Sequence, residues 1–198
     1  MLLLAILLHC TVAASALTWT HLGINGQLWT FRSGTRILVD PILVGELTFF
    51  GMPKLYTASP RVPCDPNLRE ELMAGSFDAL VLSQGWEDHC HLPTLSALRD
   101  SGALEGKDII GPPSSAGAVA ACGLSDSFVE LAHGGSRQVH GVTLRAVPGA
   151  LLGPPWQRRE NGICATGGGE PAEGGGLFYE PRGSWFTMPP ALSACLDH

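Results

Sequence analysis

The run Phe77-Asp78-Ala79-Leu80-Val81-Leu82 constrains the fold of this chain most, because Asp78 is its only polar residue. A strand that is apolar on both faces must be covered on both faces, as the central strands of parallel sheets are. The polar segment 83–91 follows, and residues 92–98 then carry apolar side chains at helical spacing. The sequence therefore predicts a strand, a loop and a helix at the centre of an α/β domain.

The segments on either side extend this pattern over most of the chain. Upstream, β-prone runs separated by glycine-containing turns predict an antiparallel meander at residues 17–22, 27–31 and 36–39. Short helices are predicted at residues 67–73 and 114–121. Further strands are predicted at residues 108–110, 128–131, 139–147 and 177–179. Alternation of strands and helices implies right-handed parallel crossovers, so we expect a mixed sheet with helices on one face.

Composition narrows the class of protein and of partner. A chain of 198 residues with 45% hydrophobic and 15% charged residues fits one globular domain. The formal net charge of −6, without a basic cluster, argues against nucleic acid as a partner. The apolar run Leu2–Leu8 is far shorter than the roughly 20 residues that span a bilayer, so no transmembrane span is predicted. A small molecule is the class of ligand left, and the oligomeric state stays open.

The first sixteen residues are typical of a targeting segment. An apolar run is followed by Ala14-Ser15-Ala16, which resembles a signal peptide with its cleavage site and would direct the chain to the secretory pathway. A truncated organelle presequence and a hydrophobic first strand are the alternatives. Removing Cys10 would leave five cysteines, an odd number that fits poorly with a disulfide-bonded secreted domain. The compartment is therefore left open, and residues 17–198 are treated as one domain.

The loop after the buried strand holds the residues with the clearest chemistry. Loops at the carboxyl ends of parallel strands are where α/β proteins usually build their sites. Asp88, His89 and His91 offer one carboxylate and two imidazoles, which are ligands for Zn²⁺ or a similar ion. In the alternative interpretation, Asp88 caps the following helix and the histidines face solvent.

This loop, Ser83-Gln84-Gly85-Trp86-Glu87-Asp88-His89, resembles the signature His-x-His-x-Asp-His of the metallo-β-lactamase superfamily, in its branch of small lactonase-like, plant and algal hydrolases. With Asp88 and His89 aligned to the final Asp-His, Gln84 and Trp86 stand where the first two histidines would be. The resemblance covers roughly residues 17–185 and includes Asp40, similar to an aspartate that lies behind the metal site. It implies an α/β fold of the αββα sandwich type.

The resemblance also implies roles for the residues that match. Asp88 would hold a metal ion and orient the nucleophilic water, and His89 would ligate the same ion. Later ligand positions are occupied by Ala150 and Arg182, which supply no ligand. Because a hydrolytic zinc centre needs about three protein ligands plus water, we expect a degenerate metal site with one divalent ion (Zn, Mn or Fe) or none. The family continues for further strands, so we also expect a sandwich that is incomplete at its C-terminus.

Three functional hypotheses follow from these differences between the chain and the family pattern. In a weakly active metal-dependent hydrolase, His91 would replace a lost ligand; the alternative for His91 is a surface position at the helix start. In a non-catalytic binding or scaffold module, Arg182 and Trp156 would bind an anionic ligand. In the alternative for Arg182, it pairs with Asp88 or Glu87 and the site is only structural. The third hypothesis is an incomplete gene product. Residues 153–162 are interpreted as a loop, and 167–176 as a flexible insert.

Overall fold

The computed structural model describes residues 17–48, 52–54, 56–152, 158–168, 176–180 and 184–187. The predicted targeting segment and most of the predicted glycine-rich insert lie outside the described residues. The described strands are β1 (Thr18–Gly23), β2 (Gly26–Thr30), β3 (Arg36–Val39), β4 (Leu47–Thr48), β5 (Thr57–Ala58), β6 (Ala79–Val81), β7 (Ile109–Gly111), β8 (Phe128–Glu130), β9 (Ser136–Val139), β10 (Val142–Leu152), β11 (Arg158–Gly167), β12 (Gly176–Glu180) and β13 (Ser184–Thr187). The described α-helices are α1 (Pro66–Met73), α2 (Leu92–Asp100) and α3 (Ala116–Ala121).

Two sheets organise the described part of the chain. The first has the strand order β1-β2-β3-β6-β7-β8, and the second has the order β13-β12-β11-β10-β9. Strands β1 to β3 form the predicted antiparallel meander, whereas β3, β6, β7 and β8 run parallel. The carboxyl ends of these four parallel strands therefore meet at one edge of the first sheet, which is where the polar loop after β6 lies.

Alternating side chains give the first sheet two buried faces. On one face, Leu38 and Leu80 join a cluster with the helix residues Leu72, Leu95 and Leu98. On the other face, strand residues pack against side chains of the second sheet; they include Trp29, Ile37, Val81, Leu144 and Ile163. The helices thus cover one face, as predicted, and the second sheet covers the other. This helix, sheet, sheet layering confirms the predicted α/β sandwich class.

Three predicted elements differ from the structure in their details. The predicted strand 139–147 contains the last residue of β9, a turn and the first part of β10, because His140 and Gly141 both have positive φ, 43° and 83°. A two-residue turn of this kind matches the twist of the flanking strands. The predicted helix at 114–121 begins as a 3-10 turn, Pro113–Ser115, before α3. The predicted loop 153–162 includes the start of β11.

No helix within the described ranges is long and apolar enough to cross a membrane.

We predict that Leu80→Ala lowers the free energy of unfolding by about 2–5 kcal/mol, because the Leu80 side chain is fully buried between β6 and the helices. Urea denaturation measures the change. Val62→Ala is the control, since Val62 is 68% exposed and its truncation should cost less than about 0.5 kcal/mol. Equal effects of the two substitutions would contradict the packing described above.

Candidate functional site

A fully buried carboxylate, Asp40, lies at the centre of the polar cluster. Its Oδ1 accepts a hydrogen bond from the Ser83 backbone N–H at 2.8 Å. Its Oδ2 accepts from Ser83 Oγ at 2.5 Å and from the Tyr179 hydroxyl at 2.8 Å, and lies 2.7 Å from His89 Nδ1. A buried charge is tolerated when it is paired and hydrogen-bonded, so these contacts offset the loss of hydration at Asp40.

The order of the strands explains why these residues meet. Asp40 follows β3 and Ser83 follows β6, and the two parallel strands are neighbours whose carboxyl ends share an edge. Asp40 has a φ of 43°, a left-handed conformation in which aspartate is enriched among non-glycine residues. Tyr179 comes from β12 of the second sheet, and its ring centroid lies 6.2 Å from that of Trp29 in an edge-to-face arrangement. The cluster therefore joins the two sheets.

The charges within the cluster have defined directions. Burial alone would lower the pKa of His89, but the Asp40 and Asp88 carboxylates together outweigh burial and raise that pKa to about 9. Burial, reinforced by the Asp40 carboxylate, raises the pKa of the Tyr179 phenol. The Tyr179 hydroxyl thus stays protonated and donates a hydrogen bond to Asp40, while Nδ1 of His89 is held as a donor to the same carboxylate.

On its other side, His89 faces Asp88 and Asn25. His89 Nε2 lies 3.4 Å from Asp88 Oδ2 and 3.0 Å from Asn25 Nδ2, and the same Asn25 nitrogen donates to the Asp88 carbonyl oxygen at 3.0 Å. Burial raises the pKa of Asp88, but hydrogen bonds from His89 and Asn25 dominate and lower it. The aligned Asp-His pair is therefore together, with the side chain of Asn25 against it.

His91 is built into the start of α2. Its Nδ1 lies 2.9 Å from Thr94 Oγ1 and its Nε2 lies 3.3 Å from the Glu46 carbonyl oxygen. His91, not Asp88, is the N-cap residue of α2. His89 and His91 are only 2% and 3% exposed, so the alternative in which they face solvent is wrong. Thr94 also accepts a hydrogen bond from the Leu43 backbone N–H, which fixes this corner of the site.

The family resemblance implies a metal ion, and the described side chains do not fit a hydrolytic metal centre. No group of three or more His, Cys, Asp or Glu side chains that could hold an ion occurs among them. His89 contacts Asp40 through one ring nitrogen and Asn25 through the other, and both ring nitrogens of His91 have protein partners. Asp88 and His89 alone fall short of about three ligands.

The remaining candidate positions of the loop differ in exposure. Gln84, which stands at the position of the first signature histidine, is 3% exposed, and its Oε1 has no hydrogen-bond partner in the described part of the chain. Trp86, at the second position, is 46% exposed.

Arg182 and Trp156, predicted to bind a ligand, lie outside the described residues, and their roles stay predictions. Ala150 lies within β10.

Sequence reasoning missed Asn25 and Tyr179. Asn25 lies in the turn between β1 and β2, and the turn sequence predicted no role for it in the site. Tyr179 was predicted to lie in a strand, without a role in the site. Both residues reach the site over long sequence separations, 63 or 64 positions for Asn25 and 139 from Tyr179 to Asp40.

We predict that Tyr179→Phe lowers the free energy of unfolding by about 2 kcal/mol, since it removes a buried hydrogen bond to a carboxylate. Combined with Asp40→Asn in a double-mutant cycle, it should show a coupling energy of about 1 kcal/mol, measured by urea denaturation. The matched control is Tyr56→Phe, at the exposed tyrosine, which should not couple to Asp40→Asn. Additive effects of Tyr179→Phe and Asp40→Asn would refute the proposed role of this contact.

Comparisons with known proteins show the family and the fold of this chain. Residues 17–181 match the family described as a beta-lactamase superfamily domain. No curated protein matches the chain. Among solved structures, a possible metal-dependent hydrolase from Veillonella parvula DSM 2008 is similar with a TM-score of 0.61 and 18% identity, over 92% of this chain and 68% of that one.

Two further solved structures share the fold at low identity. CmlA, a diiron beta-hydroxylase from Streptomyces venezuelae, is similar with a TM-score of 0.57 and 16% identity, over 82% of this chain and 29% of CmlA. Igni18, a metallo hydrolase from Ignicoccus hospitalis KIN4/I, has a TM-score of 0.52 and 16% identity, over 82% of this chain and 59% of that one. This chain thus spans less than two thirds of either protein. Because the family match covers most of its length, the chain belongs to the beta-lactamase superfamily.

Proposed function

We propose that this chain is a hydrolase-like member of the superfamily with a degenerate metal site, which serves as a binding module rather than as a metal-dependent catalyst. The observation that carries this proposal is that both ring nitrogens of His89 contact protein groups, Nδ1 with Asp40 and Nε2 with Asn25. Asp88 is the only other residue of the loop that matches a ligand of the family signature. The cluster around Asp40 then has a structural role, because it joins the two sheets. Small molecules are the ligand class that we propose.

The residues at the two altered signature positions support this proposal. Trp86 offers only an indole N–H, a hydrogen-bond donor that cannot ligate a cation. Gln84 offers an amide oxygen, which suits Mg²⁺ or Ca²⁺ better than the transition metals of hydrolytic centres. A metal-dependent hydrolase would need replacements for both lost imidazoles, and His91 is already engaged by Thr94 and Glu46.

The second candidate is a metal-dependent hydrolase that uses one Zn, Mn or Fe ion. It is favoured by the 3.4 Å separation of Asp88 Oδ2 and His89 Nε2, together with the carboxylate of Asp40 behind His89. A carboxylate behind a histidine is a common way to orient that histidine toward a metal. In this candidate, Asp88 is the catalytic residue, His91 is the third ligand, and Arg182 and Trp156 contact the substrate.

Elemental analysis of the purified full chain distinguishes the two candidates. We expect less than about 0.1 Zn, Mn or Fe per chain and no change of the melting temperature with a chelator, because Asp88 and His89 alone supply too few ligands. The measurement is decisive because a hydrolytic centre of this class depends on its ion. A stoichiometric metal that is lost in both Asp88→Ala and His89→Ala would overturn the proposal in favour of the hydrolase. Asp126→Ala, at an exposed aspartate, is the matched control and should leave the metal content unchanged.

A restoration experiment tests the same idea in the opposite direction. Gln84→His combined with Trp86→His returns two imidazoles to the positions next to Asp88 and His89. We expect this variant to bind more zinc than the wild-type chain in equilibrium dialysis, because it supplies the missing nitrogen ligands. A thermal melt confirms that the variant is folded. Unchanged zinc binding by the folded variant would contradict the proposal that the residues at positions 84 and 86 are what prevents metal binding.

A further inference from the structure

A cleft of about 510 Å³ lies where β7, β8 and β11 come together. Pro112, Pro113 and Ser114 follow β7, and His133 follows β8, so the cleft opens at the same sheet edge as the loop after β6. The volume falls in the range of about 300–1,000 Å³ that is typical of small-molecule pockets. Asp88, His89 and His91 are not among the described residues that line this cleft.

The cleft is distinguished by a buried carboxylate. Glu160 is 3% exposed and lines the cleft, and its Oε2 accepts a hydrogen bond from Ser114 Oγ at 2.7 Å. Within the described part of the chain, Lys, Arg and His side chains form no ion pair with Glu160. A carboxylate that has lost most of its hydration is stabilised when a cation pairs with it. Among the described residues, the Glu160 carboxylate therefore has a hydroxyl partner but no cationic one.

The other polar groups of the cleft select among chemical roles. His133 Nε2 lies 3.2 Å from the backbone oxygen of Glu160. His133 is therefore not placed to act as a base on the Ser114 hydroxyl, as a catalytic nucleophile would require. Asn161 Nδ2 is committed to the Leu131 carbonyl oxygen at 2.7 Å, which leaves the amide oxygen as its acceptor for a ligand. Glu160 and Asn161 thus both offer acceptors, which suits a ligand that carries hydrogen-bond donors.

A metal ion is a poor match for this cleft, because the described residues contain no cluster of three His, Cys, Asp or Glu ligands. The prolines and Ala132 add apolar wall beside the carboxylate. An organic cation with an apolar body satisfies both properties. An alkylammonium donates charge-assisted hydrogen bonds to a carboxylate, and its hydrocarbon part packs against the apolar wall.

We propose that this cleft is a binding site for a small primary amine, with Glu160 as the residue that pairs with the ammonium group. The cleft does not include any residue of the Asp88–His89 loop among its described lining residues. It adjoins the loop, however, because a Cβ added at Gly85 would collide with the backbone carbonyl of Ser114. The cleft and the altered signature loop share this wall.

Isothermal titration calorimetry of the full chain with 2-phenylethylammonium, and with 2-phenylethanol as its neutral counterpart, tests the proposal. We expect the ammonium to bind about tenfold or more tightly than the alcohol, and Glu160→Gln to remove this preference. Equal affinities for the two probes, no binding of the ammonium, or unchanged ammonium binding by Glu160→Gln would each overturn the proposal. The titration is repeated with a chelator, so that its outcome is separate from that of the metal analysis.

Two further variants keep the test decisive if Glu160→Gln fails to fold. Ala132→Phe adds a ring at an exposed position of the cleft, and we expect it to abolish ammonium binding without unfolding the chain. Glu130→Gln, which neutralises an exposed carboxylate on β8 outside the cleft, should bind the ammonium as the wild type does. Binding that survives Ala132→Phe, or that is lost in Glu130→Gln, would overturn the assignment to this cleft.

Discussion

The burial of Asp40 is the constraint on which the rest of the site depends. A carboxylate without solvent access needs hydrogen-bond donors on every side, and here they come from β12 and from the loop after β6. Those contacts hold His89 and the loop after β6 against the end of β3, and they connect the second sheet to the first. The same polar group therefore decides both how the layers pack and how the altered signature loop is presented.

The altered loop shows how a catalytic arrangement and a structural arrangement can share a framework. Asp40, behind His89, orients the imidazole whether or not anything binds at Nε2. On the outer side, Asn25 Nδ2 lies 3.0 Å from His89 Nε2 and donates a hydrogen bond to the Asp88 carbonyl oxygen, so His89 and Asp88 both have polar contacts within the protein. Internal contacts of this kind keep buried polar groups paired, and pairing is what the stability of the layer requires.

Local sequence patterns were enough to predict the framework. The apolar run around Leu80 indicated a central strand, and the spacing of Leu95 and Leu98 indicated the helix after it, because both patterns report burial directly. The resemblance then placed Asp88 and His89 beside each other. The contacts of Asn25 and Tyr179 were missed, since a turn or a strand position does not reveal which distant residue it will meet. The amine cleft was missed for the same reason, as it is assembled from segments that follow β7 and β8 and from β11.

Gly85 connects the two regions through the absence of a side chain. Since even a methyl group would collide with the Ser114 backbone, the loop after β6 and the segment after β7 touch main chain to main chain. Neighbours packed this closely cannot shift independently, and interiors of such density transmit small displacements. A ligand that orders Ser114 in the cleft would therefore also restrict the backbone beside Asp88. By thermodynamic reciprocity, a contact that restrains this backbone would raise the affinity of the cleft for the ligand.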